Sequence, residues 1–312
     1  MRILFVIPEF PPHAGGGILK YYDLLASSLV AAGAHVSILV ASPFSEFPDY
    51  RTRDGVDVAF VTLREVDHHA AMLPHLAAAP GFRRYLAAGL AAAERVARLA
   101  DVVDVIETTD FGLLFAPLVA MADRPPVVVK LHGSLGQISE HEPVEPRGAL
   151  DAALARVTEA TLLPHADALV ACSPKNAAEW EARLSTPVGF LPAPLRVAEP
   201  IEPTPTIYSG LVAARVQAWK GPEILCEAFA TLGAQAPEDM RIAWAGRDTA
   251  TAPDGGSMSA WLARTYPGIW GERIVPVGQQ PHAAIAALQA SVRYVVVPSH
   301  WDTFNYTLAE AM

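Results

Sequence analysis

Two permanent cations, Arg215 and Lys220, stand five residues apart in the segment RVQAWKG, between an apolar run and a helical pattern. Arginine forks onto two phosphate oxygens and lysine adds a mobile point charge, so the pair suits a diphosphate; two solvated surface cations are the alternative. A second constellation is PSHWDTFNYTLAEAM, Pro298–Met312, in which Asp302 and Glu310 lie eight residues apart around a helix start. Asp302 is either an N-cap or an acceptor for sugar hydroxyls. Glu310 is either a solvated helix residue or an acceptor for a ribose, with the amides around Thr303, Phe304 and Asn305 then facing a phosphate. A third is KLHGS, Lys130–Ser134, at the C-terminal end of an apolar run. His132 there can donate to a sugar hydroxyl or a phosphate oxygen, or be satisfied by loop backbone. The fourth is PPHAGGG, where Gly15, Gly16 and Gly17 precede a helix. Glycines allow close backbone approach to an anion beside free helix amides, or make a plain flexible turn.

Other chemistries lack their signatures. There is no GxGxxG, and no acid ends the second strand to hold a ribose, which disfavours an NAD-dependent dehydrogenase. HExxH, paired CxxC, Walker A and GxSxG motifs are also missing. His68 and His69 read as part of a polar loop; adjacent histidines rarely ligate one metal together, and no metal is expected. Trp180, Trp244, Trp261 and Trp270 read as packing rather than a stacking platform for bases. A net charge of −10 disfavours any broad electrostatic hold on nucleic acid or anionic membrane. No apolar run reaches the ~20 residues that span a bilayer. The two cysteines, Cys172 and Cys226, are placed in different domains as buried small hydrophobes, which fits a reducing cytoplasm.

These residues need a scaffold that brings loops to one edge. In the first half, short β-rich runs (Ile3–Ile7, Val36–Val40, Val56–Val61, Val103–Ile106, Val127–Leu131, Ala168–Ala171) alternate with longer helical patterns. Those helices fall over Ile18–Ala32, Phe82–Leu99, Phe111–Met121, Leu150–Leu163 and Lys175–Leu184. The alternation predicts an α/β fold with a parallel sheet covered on both faces. A proline-rich stretch between Leu195 and Thr206 reads as a linker, separating domains at 1–198 and 199–312. Strands then restart at Ile207–Val212, Arg241–Ala245, Ile274–Val277 and Tyr294–Val297, with helices between them and one opening after Trp301. Four strands, where a full Rossmann unit usually has six, predict that the second domain is incomplete.

In order and spacing these segments resemble the family 4 glycosyltransferases. FVIPEFPPHAGGGILKYYDLLASSLVAAGAHVSILV is similar to that family's first strand, glycine loop and helix, and RVQAWKG to its arginine–x4–lysine–glycine segment. AWAGRD, with Gly246 and Arg247, corresponds to its strand end near the nucleotide base, and PSHWDTFNYTLAEAM to its glutamate–x7–glutamate signature. Here Asp302 stands for the first glutamate, Thr303-Phe304-Asn305 for the usual glycine-rich pair, and Ala214 for the glycine before the arginine.

The resemblance implies a GT-B fold, two Rossmann-like domains facing across a cleft, and a retaining enzyme with a nucleotide-diphospho-sugar donor. It implies that Arg215 and Lys220 meet the diphosphate, that His132 and Asp302 serve the donor sugar, and that Gly15–Gly17, Gly246, Arg247, Thr303–Asn305 and Glu310 complete donor binding. The acceptor, a glycan, lipid-linked or small molecule, falls to the first domain. No enzyme nucleophile and no metal or other cofactor is implied. The expected setting is cytoplasmic, with at most peripheral contact at the inner face of a membrane. Further strands and a closing helix normally follow the signature, so a C-terminally truncated chain is expected. A non-catalytic remnant and a GT-B nucleotide-sugar epimerase are the competing readings.

Overall fold

A computed structural model describes residues 1–13, 16–99, 102–142, 148–196 and 200–312. The chain divides into two compact units, Met1–Ser139 with Val144–Arg196, and Glu140–Pro143 with Val197–Met312. The expected boundary after residue 198 falls outside the described residues.

The first unit is built on a sheet of β1 (Arg2–Ile7), β2 (His35–Val40), β3 (Tyr50–Arg51), β4 (Asp57–Phe60), β5 (Val105–Thr109), β6 (Val127–Leu131), β7 (Ala168–Ala171) and β8 (Gly189–Phe190). Their spatial order is β3-β4-β2-β1-β5-β6-β7-β8. Among the described strands every pairing is parallel except β3 with β4. Ile3 through Ile7 are all buried, as a strand covered on both faces requires. Seven helices connect these strands among the described residues: α1 (Gly17–Ala31), α2 (Leu63–Ala71), α3 (Pro80–Ala97), α4 (Phe115–Val119), α5 (Leu135–His141), α6 (Ala149–Leu162) and α7 (Pro174–Leu184). The chain leaves β1 toward β2 on one side and returns to β5 on the other. The strand ends of β1 and β5 therefore flank a topological switch point.

Several elements differ from expectation for identifiable reasons. His68 and His69 lie on α2, not in a loop, and His69 is buried with its Nε2 3.2 Å from Glu94. The helix starts at a capping box: the Thr62 hydroxyl accepts from the Glu65 amide while the Glu65 carboxylate accepts from the Thr62 amide. Phe111–Met121 is not one helix: Gly112 at φ +77° and Leu113 at φ +59° leave the helical region within a short 3-10 turn, and α4 starts only after it. β5 starts two residues later than expected and runs to Thr109, through polar residues that mask it as an apolar run; Thr108 satisfies its hydroxyl on the Val6 carbonyl at 2.8 Å. β3 and β8 are too short to show a period in sequence.

Beyond β6, a buried polar chain fixes α5, α6 and α7. Glu159 on α6 accepts from the Ser134 hydroxyl at 2.8 Å and the Gly136 amide at 2.9 Å. A Cβ at Gly136 would stand 2.1 Å from the Glu159 carboxylate, so only glycine permits this approach. Gln137 accepts from the Trp180 indole and donates to Asn176, which in turn donates to the Leu131 carbonyl.

The second unit carries β9 (Gly210–Ala213), β10 (Ile242–Ala245), β11 (Ile274–Gly278) and β12 (Tyr294–Val295), all parallel, in the order β11-β10-β9-β12. Four strands are found here among the described residues. The helices are α8 (Pro222–Leu232), α9 (Met258–Thr265), α10 (His282–Ser291) and α11 (Tyr306–Ala311). β9 begins three residues later than read from sequence, and Ile207 is 67% exposed rather than in the sheet. Trp180, Trp244 and Trp270 are buried and Trp261 half-buried, as packing residues. Cys172 and Cys226 are free, buried thiols, one in each unit. No helix among the described residues is long and apolar enough to cross a membrane.

Burial pushes the Glu159 carboxyl up to about 7 from 4.5, against the opposing pull of its two hydrogen bonds. Between those values the folded protein holds a proton that the unfolded chain has lost. This contribution to stability is therefore full below pH 4.5 and is lost as pH rises toward 7, at up to about 1.4 kcal/mol per pH unit. Glu159→Gln, which keeps an acceptor for Gly136, is expected to flatten the fall in melting temperature between about pH 5 and 7. An unchanged slope would assign the pH dependence elsewhere.

Candidate functional site

In the second unit the sheet order reverses at β9, with β10 on one side and β12 on the other. The connections leaving the C-terminal ends of β9 and β12 meet at that point. After β9, Val216 bridges Asp248 and its amide donates to the Arg247 carbonyl at 2.9 Å. A 3-10 turn over Ala218–Lys220 follows, and Gly221 then enters α8 at φ +73°. After β12, the chain runs through Pro298 and Trp301 to Asn305, the N-cap of α11, whose side chain accepts from the Leu308 amide. The cap is thus Asn305 and not Asp302.

That leaves Asp302 available for another partner. Its Oδ2 accepts from Lys220 Nζ at 2.8 Å and from Asn305 Nδ2 at 2.8 Å. The Lys220 ammonium also stands 4.0 Å from the centre of the Trp219 ring. Only 14% of the Lys220 side chain and 20% of the Asp302 side chain are exposed. Burial pushes the Lys220 pKa down, Asp302 pulls it back up, and nearby Arg215 adds a smaller downward push. Arg215 itself is exposed. Thr307 on α11 donates to the Ala213 carbonyl at 2.9 Å, tying that helix to the end of β9. A small crevice between Ala213, Ala214, Pro298, Ser299, Asn305 and Thr307 opens at the strand ends.

Two glycines make the close approaches. A Cβ on Gly246 would lie 1.9 Å from the Ala214 carbonyl oxygen, and one on Gly221 would lie 2.0 Å from that of Pro298. Arg247 is exposed, Thr303 buried, Phe304 half-buried and packed on Tyr306, and Glu310 half-buried on α11. The structure thus joins Lys220, Asp302 and Asn305 by hydrogen bonds, with Arg215 on the same connection.

In the first unit the expected residues gather at the ends of β1, β5 and β6. Asp110 is fully buried and accepts from the amides of His132 at 2.8 Å and Gly133 at 3.1 Å, fixing the loop after β6. The His132 ring packs edge-on against Tyr21, with centroids 4.7 Å apart, and near Tyr22. Its Nε2 is buried although the residue keeps partial exposure, and burial followed by the Lys130 ammonium holds its pKa down at about 3. The imidazole is therefore neutral. Lys130 is buried, with Nζ 5.1 Å from the Tyr21 ring centre and 2.8 Å from the Leu191 carbonyl. At the start of α1, the Glu9 carboxylate accepts from the amides of Gly16 at 2.9 Å and Leu19 at 3.3 Å. Gly17 opens the helix, while Gly15 lies outside the described residues. Among the described residues, no group of three or more histidines, cysteines, aspartates or glutamates could hold a metal ion.

Residues 16–193, more than half of the chain, match the model of the glycosyl transferase 4-like domain. The chain belongs to this glycosyltransferase family. No curated protein matches it in sequence. Among solved structures it is similar to sucrose-phosphate synthase from Thermosynechococcus elongatus, with a TM-score of 0.71 and 17% identity over 100% of this chain and 79% of that one. It is also similar to Anabaena Alr3699/HepE in complex with UDP and glucose, with a TM-score of 0.63 and 16% identity over 100% and 78%. The catalytic domain of starch synthase IV from Arabidopsis thaliana, bound to ADP and acarbose, gives a TM-score of 0.64 and 11% identity over 99% and 80%. The fold of this glycosyltransferase is GT-B.

Sequence reasoning missed four contributors to the glycosyltransferase's two strand-end clusters: Glu9, Asp110, Trp219 as the ring beneath Lys220, and Asn305 as a cap. The helix-start position of Asn305 was a usable signal; Glu9 and Asp110 act on residues 7 and 22 or more positions away, with no motif linking them. Gly221→Ala puts a side chain at positive φ against the backbone of Pro298. It is expected to destabilise the second unit by on the order of 1–3 kcal/mol in urea unfolding. Wild-type stability in this variant would show that the connection after β9 does not require glycine.

Proposed function

We propose that this glycosyltransferase moves a hexosyl-type sugar, with retention, from a nucleotide-diphospho-sugar to a hydroxyl of a glycan, lipid-linked or small-molecule acceptor. The observation that carries the reading is the half-buried Lys220 ammonium at the switch point of β9 and β12, paired with Asp302 and accompanied by exposed Arg215 on one connection. Ligands of open α/β sheets bind in that crevice. Two of the similar structures hold UDP and ADP, which supports a nucleoside diphosphate as leaving group.

In the proposed reaction the bond between the anomeric carbon and the diphosphate oxygen breaks, and the acceptor hydroxyl forms the new glycosidic bond on the same face. The hydroxyl proton passes to the departing diphosphate. Arg215 and Lys220 stabilise the charge developing on that group, an electrostatic term that often dominates catalysis. Asp302 then accepts from sugar hydroxyls when the diphosphate takes its place on Lys220. Gly246, Arg247, Thr303, Phe304 and Glu310 serve the nucleotide side of the donor. In the first unit, neutral His132 holds the donor sugar by hydrogen bonding, and the acceptor binds mainly to this unit. The Glu9 carboxylate occupies the Gly16 amide, so a phosphate at the glycine loop would have to displace it. No metal is required in this scheme, because two cations of the chain meet the diphosphate. The free buried thiols support a cytoplasmic setting, with at most peripheral membrane contact.

Lys220→Ala and Arg215→Ala are each expected to cost on the order of 2–4 kcal/mol of transition-state stabilisation, read as a fall in kcat/KM. The donor is chosen first by a thermal-shift screen over UDP-, GDP- and ADP-sugars. Unchanged turnover in both variants would overturn the diphosphate assignment.

A further inference from the structure

We propose that His141 and Glu142 are positioning residues for the donor site, holding the Lys220 ammonium and Asp302 carboxylate in register for a nucleoside diphosphate. This rests on the donor reading above and deepens it. Glu140, His141 and Glu142 belong to the second unit, although the residues before them in α5 belong to the first. Local sequence provides no reason for that change of unit. The contacts made by His141 and Glu142 supply one.

Glu142 Oε1 accepts from the indole Nε1 of Trp219 at 2.8 Å, and it also accepts from Nε2 of Gln217. Trp219 and Gln217 are both buried, at 6% exposure each, so their donors have little recourse to water if the carboxylate is removed. Trp219 is the chain neighbour of Lys220, and its ring is the surface over which the ammonium sits, 4.0 Å from the centroid. His141 stacks on Trp301 with centroids 4.8 Å apart and planes 15° from parallel. Trp301 is the chain neighbour of Asp302 and is itself 5% exposed. The two indoles meet at 5.3 Å, and the His300 amide donates to the Trp219 carbonyl at 3.0 Å. Two consecutive residues therefore each grip the immediate neighbour of one member of the Lys220–Asp302 pair. Glu142 fixes which way the Trp219 ring faces, and the ring fixes where the ammonium stands. His141 does the same for the start of the segment that carries Asp302 and Asn305.

The test is calorimetric binding of UDP, GDP and ADP to the wild type and to Glu142→Ala, Glu142→Gln, Trp219→Phe and the Glu142→Ala/Trp219→Phe double variant, with Lys220→Ala as reference. Glu142→Ala is expected to weaken the preferred nucleotide about tenfold, and Glu142→Gln, which keeps an acceptor oxygen, to recover most of that loss. Trp219→Phe keeps a ring under the ammonium but lacks the N–H, so it should lose binding in the same direction as Glu142→Ala, which also strips Gln217 of its acceptor. The double variant should be no weaker than Glu142→Ala, because that variant already lacks the hydrogen bond to Trp219. If Lys220→Ala loses binding while Glu142→Ala binds as the wild type does, the positioning role is overturned and the donor reading stands. Additive losses in the double variant would also overturn it. Should Glu142→Ala fail to fold, Glu142→Gln and Trp219→Phe still decide: a loss in Trp219→Phe with none in Glu142→Gln supports the role, and wild-type binding in both overturns it. If the folded wild type binds none of the three nucleotides, the donor reading fails and this inference with it.

Discussion

The second unit is organised around one ion pair, Lys220 with Asp302. Taking both charges largely out of water is costly, and a half-buried pair by itself contributes little to stability. Here the cost is offset by additional partners: the Asn305 amide on the same carboxylate oxygen and the Trp219 ring beside the ammonium. Those partners in turn dictate local structure. Asn305 has to cap α11 from the direction of Asp302, Gly221 has to turn at positive φ against Pro298, and Trp219 has to lie buried between Lys220 and Trp301. In the proposed reaction this pair, where the sheet order reverses, holds a charge ready for the diphosphate.

The first unit solves a different problem with the same chemistry. Its loops at the strand ends expose backbone amides that need acceptors, and three carboxylates of the chain supply them. Glu9 serves Gly16 and Leu19, Asp110 serves His132 and Gly133, and Glu159 serves Gly136. Asp110 and Glu159 are buried, and both are pushed up to about 7 by that burial. The neutral His132 ring, seated against Tyr21, is the side chain this arrangement presents at the end of β6. Rigid loops around a neutral imidazole suit hydrogen bonding to an uncharged group rather than binding of an anion.

Family membership and the GT-B fold rest on agreement between a family model over residues 16–193 and similar structures that span nearly the whole chain. The relatives named here are under 20% identical, so what they share with this chain is backbone architecture. Donor, acceptor and stereochemistry depend on side chains, which is why the proposed reaction is tied to Lys220, Arg215 and Asp302 rather than to the fold.

Hydrophobic periodicity alone determined the β/α alternation and the continuous burial of β1, because burying apolar runs is a local demand that residue order expresses directly. Residue type alone also marked Lys220, Asp302 and His132 as able to meet a phosphorylated sugar. The capping box at Thr62–Glu65 was equally available in the order of residues and would have put His69 on a helix. Tertiary structure decided the rest. It chose Asn305 over Asp302 as a cap, which freed the carboxylate for a lysine 82 positions away. It also brought Glu142 to Trp219 across 77 positions, and Glu9 to the glycine loop ahead of any ligand. Those pairings depend on which strand ends lie side by side, and a one-dimensional pattern carries no trace of that adjacency.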